Sequence, residues 1–181
     1  MRPIALVLTL LTALWISPAA AAPEPKAVFL GASIIQYWRR EDPAFFTANA
    51  IVNRGIAGET SDQVLARADA ALALKPTVLV VLAGTNDVAL RMPPRQTLEN
   101  LSAIARKARA QGVRVVICAI PPSSQMSPAS IDAANALTRA FAGREGFVYL
   151  DFAPVLGAPD GGMRADLSRD GTHPNAQGYA L

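Results

Sequence analysis

The run VLVVLAGTNDV, Val78 to Val88, decides the architecture. Its first five residues, Val78 to Leu82, are apolar without alternation, the pattern of a strand covered on both faces. AGTNDV then leaves that strand's carboxyl end, carrying Asn86 and Asp87. The same reading repeats outward along the chain. Ala27 to Leu30 (AVFL), Ala50 to Val52, Val113 to Ile120 and Phe147 to Leu150 (FVYL) are further strands. Between them, Val64, Leu65, Ala68 and Leu72 share one helical face, behind a Ser61 that can cap it. Leu98, Leu101, Ile104, Ala105 and Ala108 share another. Ile131, Ala134, Leu137, Thr138 and Phe141 share a third, with Gly143 near its stop. A shorter helix is expected just after Ser33. Strand, helix, strand, repeated, predicts the α/β class: a sandwich around a parallel sheet of about five strands.

The opening of the chain is a different kind of sequence. Arg2 supplies a positive start, Ile4 to Ile16 is an apolar run, and SPAAAA follows with small residues. Residues 1–22 therefore read as a signal peptide, cut between Ala19 and Ala22, and the chain as periplasmic or secreted. A membrane anchor is the competing reading, but the run is short for a bilayer span. No cysteine lies near the cut to carry a lipid. Residues 23–181 then form one domain, a length that supports a real core.

Composition excludes several classes. With Arg2 removed, the 17 Lys/Arg become 16 against 14 Asp/Glu, a net charge of about +2. Arg106, Lys107 and Arg109 lie together on the polar side of a helix, a solvated face, so nucleic acid is not an expected partner. Cys118 is the single cysteine, which precludes an internal disulfide, and its apolar surroundings make it a small buried hydrophobe. One His and one Cys are too few for the common zinc sites.

What remains is a set of polar residues at strand ends. In a parallel sheet, segments leaving the carboxyl ends of the strands meet at one edge. GASII brings Ser33, NRGIAGET brings Gly55 and Gly58, and AGTNDV brings Asn86. DGTHP, after the last strand, brings Asp170 and His173, the only histidine in 181 residues. A serine nucleophile needs a base, and the base needs an acceptor that fixes its tautomer; Ser33, His173 and Asp170 can supply these roles. The backbone N–H groups of Ser33 and Gly58 and the Asn86 amide can serve as oxyanion donors. Singly, each has an ordinary reading: a helix N-cap, turn-forming glycines, a turn asparagine, an exposed loop histidine. PPSSQMSP, Pro121 to Pro128, is the one long irregular loop at the same edge.

GAS (Gly31 to Ser33), NRGIAG (Asn53 to Gly58), GTND (Gly84 to Asp87) and DGTHPN (Asp170 to Asn175), in this order, resemble the four blocks of the SGNH hydrolases, also called the GDSL esterase and lipase family. The style is similar to exported bacterial members related to platelet-activating-factor acetylhydrolase. The resemblance implies a flavodoxin-like three-layer α/β/α fold and no metal or organic cofactor. It implies acyl-ester hydrolysis, with Ser33, His173 and Asp170 catalytic and Ser33, Gly58 and Asn86 forming the oxyanion hole. The expected partner is a small-molecule or carbohydrate ester, a short acyl or acetyl group on a sugar or other small alcohol. No stable membrane span is expected after signal cleavage. Tyr37, Trp38, Met126 and the 121–128 loop are further pocket candidates, the two aromatics being equally suited to packing the first helix.

Two departures from the family pattern matter. Ala32 replaces the aspartate of Gly-Asp-Ser, which is expected to lower activity or loosen the oxyanion loop. And the chain ends at Leu181, where the family continues from Gly-Tyr into a helix that covers the sheet. One sheet face is therefore expected to be partly bare, through a truncated sequence or a face that a partner covers. Both departures support the rival reading, a non-catalytic carbohydrate- or surface-binding module on the same fold. A flavodoxin-like phosphate binder is disfavoured, because the first strand–helix turn has no glycine-rich loop.

Overall fold

The computed structural model describes residues 24–181. The signal-peptide reading of residues 1–22 lies outside them. In chain order the elements are β1 (Ala27–Gly31), α1 (Ser33–Glu41), α2 (Pro43–Ala48), β2 (Ile51–Gly55), α3 (Ser61–Ala66), α4 (Ala68–Leu72), β3 (Val78–Leu82), α5 (Thr85–Ala89), α6 (Pro94–Ala110), β4 (Arg114–Cys118), α7 (Pro128–Glu145), β5 (Val148–Leu150), α8 (Ala153–Leu156) and α9 (Ala176–Tyr179). The strands form one sheet in the order β2-β1-β3-β4-β5. Every pairing is parallel.

The unbroken apolar strands are explained by two cores that share one sheet. Val28 and Leu30, Leu79 and Val81, and Val115 and Ile117 point to one face, where they meet Val64, Leu72, Leu101, Ile104 and Phe141 from α3, α4, α6 and α7. The alternate residues Phe29, Leu82 and Cys118 point to the other, against Ile34, Ile35, Phe46 and Tyr179 from α1, α2 and α9. A period of two thus divides each run between two buried layers. On the second face Trp38 stacks on Phe45 at 5.2 Å and on Tyr179 at 5.4 Å, so Trp38 is a packing residue. Burial pushes the Cys118 thiol up to about 12, consistent with a hydrophobe and not a nucleophile. Beside β5 the second face is partly bare. Val148 and Leu150 are 61% and 43% exposed. An apolar hollow of about 420 Å³ lies there, between Trp38, Leu150 and Leu181.

Several local readings change. The helix predicted behind Ser61 is two helices, broken at Arg67. Its cap is Thr60, whose N–H donates to Gln63 Oε1 at 3.0 Å. Ser61 is instead fully buried, and its hydroxyl and amide bind the Asp87 carboxylate. Gly143 lies inside α7, and Gly146, in the left-handed conformation, ends that helix. GTND is not a plain loop: Thr85 opens α5. Arg106 and Arg109 both pair with Glu145, and Lys107 with Asp69, so the basic cluster is a surface ion-pair face.

The chain leaves β1 for β2 on one side and crosses back to β3 on the other. The switch point, where α/β sheets open a crevice, therefore lies between the carboxyl ends of β1 and β3. The approach there is tight. A Cβ on Gly55, at the end of β2, would lie 2.2 Å from the Gln36 backbone nitrogen and 2.8 Å from the Ala32 carbonyl. Gly55→Ala must push α1 away from the sheet and is expected to destabilise the fold by about 2–3 kcal/mol. Urea unfolding measures this, and an unchanged midpoint would contradict it.

Candidate active site

β1 ends at Gly31, and Ser33 opens α1 two residues later, at the switch point. Ser33 is 7% exposed. Its Oγ lies 2.8 Å from Nε2 of His173, which comes from a loop 140 residues further along the chain. His173 Nδ1 lies 2.6 Å from Oδ2 of Asp170. The other oxygen, Oδ1, accepts the backbone N–H groups of Thr172 at 2.9 Å and of His173 at 2.8 Å. The sequence DGTHP thus curls round its own carboxylate, and three residues are enough to orient the imidazole. Burial alone would push the Asp170 carboxyl up. The hydrogen bonds from the His173 amide and ring and from the Thr172 amide outweigh it and hold the group at about 2.

The depressed carboxyl has a consequence for stability. An unfolded aspartate titrates near about 3.9. Asp170 therefore contributes stability that is in place above about pH 4 and is lost as pH falls through about 2. Its side chain is 55% exposed, so solvent screens much of the effect. Asp170→Asn is expected to flatten the pH dependence of the urea midpoint in that window. Parallel curves for variant and parent would count against the assignment.

The loop carrying the pair is fastened from outside. Ser168 Oγ donates to the His173 carbonyl at 2.7 Å, and Asn175 Nδ2 to the Asp166 carbonyl at 2.9 Å. The 121–128 loop supports it from the other side. The Ser124 N–H donates to the Gly171 carbonyl at 2.8 Å, and Ser123 Oγ meets Thr172 Oγ1 at 2.8 Å. Ser123 is 1% exposed, so this contact is reached by solvent only from the Thr172 side. The irregular loop thus positions the histidine as well as lining the cleft.

The three predicted oxyanion donors come together on the same cleft, which Ser33, Gly58, Asn86 and His173 all line and whose volume is about 500 Å³. Gly58 has φ +83°, a conformation that favours glycine. Among the described residues its N–H has no acceptor. Asn86 donates one Nδ2 hydrogen to the Glu59 carbonyl at 2.7 Å, which fixes the amide and leaves the second hydrogen. Glu59 is gripped in turn by Arg67, whose Nε lies 2.9 and 3.0 Å from its two oxygens. Arg67 also donates to the carbonyls of Arg54 at 3.1 Å and Gly31 at 3.3 Å. The Ala57 N–H donates to Gln36 Oε1 at 2.6 Å. The Gly58 loop is therefore anchored without a carboxylate at position 32, where Ala32 is buried and caps nothing with its side chain.

Asp87 takes no part in the cleft. It is fully buried, and Thr97 joins Ser61 in binding it, at 3.1 Å, so it ties α3, α5 and α6 together behind Asn86. Of the further pocket candidates, Tyr37 and Met126 line the cleft. Tyr37 also packs on His173, ring centroids 5.0 Å apart, and the Arg40 guanidinium lies over the Tyr37 ring, 4.5 Å from its centroid. Its signal was present in the sequence, because Tyr37 follows Ser33 by four residues on one helix and so shares its face. Arg67, Ser123 and Ser168 carried no such signal. Among the described residues no cluster of His, Cys, Asp and Glu could hold a metal ion. No helix there is long and apolar enough to cross a membrane.

The first turn of the sheet thus carries a serine that meets a histidine, and that histidine meets an aspartate of its own loop. The chain belongs to the GDSL-like lipase/acylhydrolase family, whose model matches residues 29–181. Over 125 residues, 68% of the chain, it is 36% identical to Esterase TesA of Pseudomonas aeruginosa. It spans 61% of the length of that curated relative. Among solved structures, it resembles a GDSL-like lipase from Bacteroides thetaiotaomicron with a TM-score of 0.82 and 30% identity, over 89% of this chain and 87% of that one. It also resembles a Streptococcus pneumoniae protein assigned as a platelet activating factor, with a TM-score of 0.78 and 27% identity, over 88% and 81% of the two chains.

Proposed function

We propose that the chain is an exported serine esterase that cleaves short acyl esters, acetyl esters of sugars or small alcohols among them, through an acyl-enzyme. The observation that carries this reading is the unbroken chain Ser33 Oγ–His173 Nε2 at 2.8 Å and Nδ1–Asp170 Oδ2 at 2.6 Å. Ser33 attacks the ester carbonyl as His173 takes its proton, and Asp170 holds the imidazole in the tautomer that accepts it. Negative charge on the carbonyl oxygen is met by the N–H groups of Ser33 and Gly58 and the second Asn86 hydrogen. His173 then protonates the leaving alcohol, and water releases the acid by the same steps in reverse.

The cleft supports a small, polar ester. Gln125, Ser127 and Ser130 line it beside Met126 and Val88, which suits an acyl group of a few carbons next to hydroxyl-bearing neighbours. Export rests on the apolar run and small-residue exit of residues 1–22, with residues 23–181 as the mature domain. Turnover of p-nitrophenyl acetate and longer p-nitrophenyl esters by residues 23–181 tests the reading. Rates that are highest at two to four acyl carbons are expected. A folded chain with no turnover above background on any of them would overturn it.

A further inference from the structure

Neither the catalytic chain nor the oxyanion donors use Arg91, a cation in the cleft wall. It follows α5 and lines the same cleft as Ser33 and Asn86. Its backbone is in the left-handed region, at φ +57°. The Met92 N–H donates to the Asp87 carbonyl at 2.8 Å and the Arg91 N–H to Val88 at 3.0 Å, so the position is the turn that closes a helix, where glycine is the favoured residue. An arginine occupies it here. Arg67, Arg106, Arg109 and Arg139 each hold a carboxylate. Arg91 holds none among the described residues, and no Asp or Glu lines the cleft.

The direction of the reaction says which half of the ester would meet this cation. His173 must reach the leaving oxygen, so the alcohol lies on the His173, Tyr37 and Thr172 side. The acyl group is then left the rest of the cleft wall, which includes Val88, Arg91, Met126 and Ser127. Arg91 lies two residues beyond Ala89, the last residue of α5, and lines the same cleft of about 500 Å³ as Asn86. With the length of its own side chain, its guanidinium can reach back to a group a few carbons from the ester carbonyl.

Resting on the esterase reading, we infer that Arg91 is a specificity residue that selects esters whose acyl chain ends in an anion, a dicarboxylic acid half-ester of about four to five carbons. A guanidinium binds a carboxylate through paired charge-assisted hydrogen bonds, and no competing carboxylate in the wall neutralises it.

Monomethyl glutarate and methyl valerate are matched in length and leaving group, and differ only in ending in a carboxylate or a methyl. Release of each acid is measured by chromatography with the parent and with Arg91→Gly, Arg91→Lys and Arg91→Glu. Arg91→Gly removes the cation while relaxing the backbone, so loss of folding does not obscure the result. The glutarate-to-valerate ratio of kcat/KM is expected to fall about tenfold or more in Arg91→Gly, mainly through KM. It should stay within a few-fold of the parent in Arg91→Lys, fall further in Arg91→Glu, and shrink in the parent at high salt. If valerate is hydrolysed and the ratio is the same in parent and Arg91→Gly, the inference fails and the esterase reading stands. If the parent hydrolyses neither ester nor any p-nitrophenyl ester, both fail.

Discussion

Ser33→Ala is expected to lower kcat for p-nitrophenyl acetate by about 10⁴ or more, with the substrate's apparent affinity little changed. The Oγ is the one group that can form the acyl-enzyme, and its bond to His173 Nε2 at 2.8 Å is the route by which it loses its proton. His173→Ala should fall as far. The double variant should fall no further than either single, because the two act as one unit. Folding is not at stake in the serine variant. Ser33 is the first helical residue of α1, Ala32 holds the cap position, and the hydroxyl bonds to no backbone group. Its Tm should therefore match the parent's. Activity in Ser33→Ala within tenfold of the parent would mean that another group is the nucleophile.

Asn86→Ala is expected to cost about 10²–10³ in kcat, the effect of removing one oxyanion donor. Its amide is fixed by the 2.7 Å bond to the Glu59 carbonyl, and Glu59 is held by Arg67, so the free hydrogen has little freedom to point elsewhere. The substitution also frees the Glu59 carbonyl, and a stability loss of about 1 kcal/mol accompanies it. The two effects separate by measurement: kcat reports the donor, and the urea midpoint reports the anchor. Loss in KM alone, with kcat kept, would assign Asn86 to ground-state binding.

The strands were legible because a strand buried on two faces writes an apolar residue at every position, and VLVVL does so without a break. β2 outruns its apolar signal, Ala50 to Val52, because it lies at the sheet edge. There Asn53 and Arg54 can continue the strand with polar side chains. The α3–α4 break was hidden because Val64, Leu65, Ala68 and Leu72 keep helical spacing across it; what interrupts them is Arg67, which reaches across to Glu59. Helices of four to six residues, such as α5, α8 and α9, are too short to show a period at all.

The candidate site divides in the same way. Asp170 and His173 were legible because their contact is local, within three residues, and Ser33 because a parallel sheet delivers all strand ends to one edge. Asn86 and Gly58 followed from the same edge. The supports were not legible. Arg67 on Glu59, Ser124 on Gly171 and Gln36 on Ala57 join segments whose spacing in sequence carries no information about contact. The effect foreseen for Ala32 also depends on those supports. The Gly58 loop is already anchored by Arg67, Glu59 and Gln36, so the absence of an acidic residue at 32 need not leave it loose.

Whether Ser33 is an activated nucleophile is tested by covalent labelling with a fluorophosphonate, the adduct being located by peptide mass spectrometry. An activated serine displaces the fluoride, whereas an ordinary buried hydroxyl does not. One adduct per chain is expected, on the peptide carrying Ser33, absent in Ser33→Ala and strongly slowed in His173→Ala. A folded parent that takes up no label, or that is labelled elsewhere with Ser33 untouched, would contradict it.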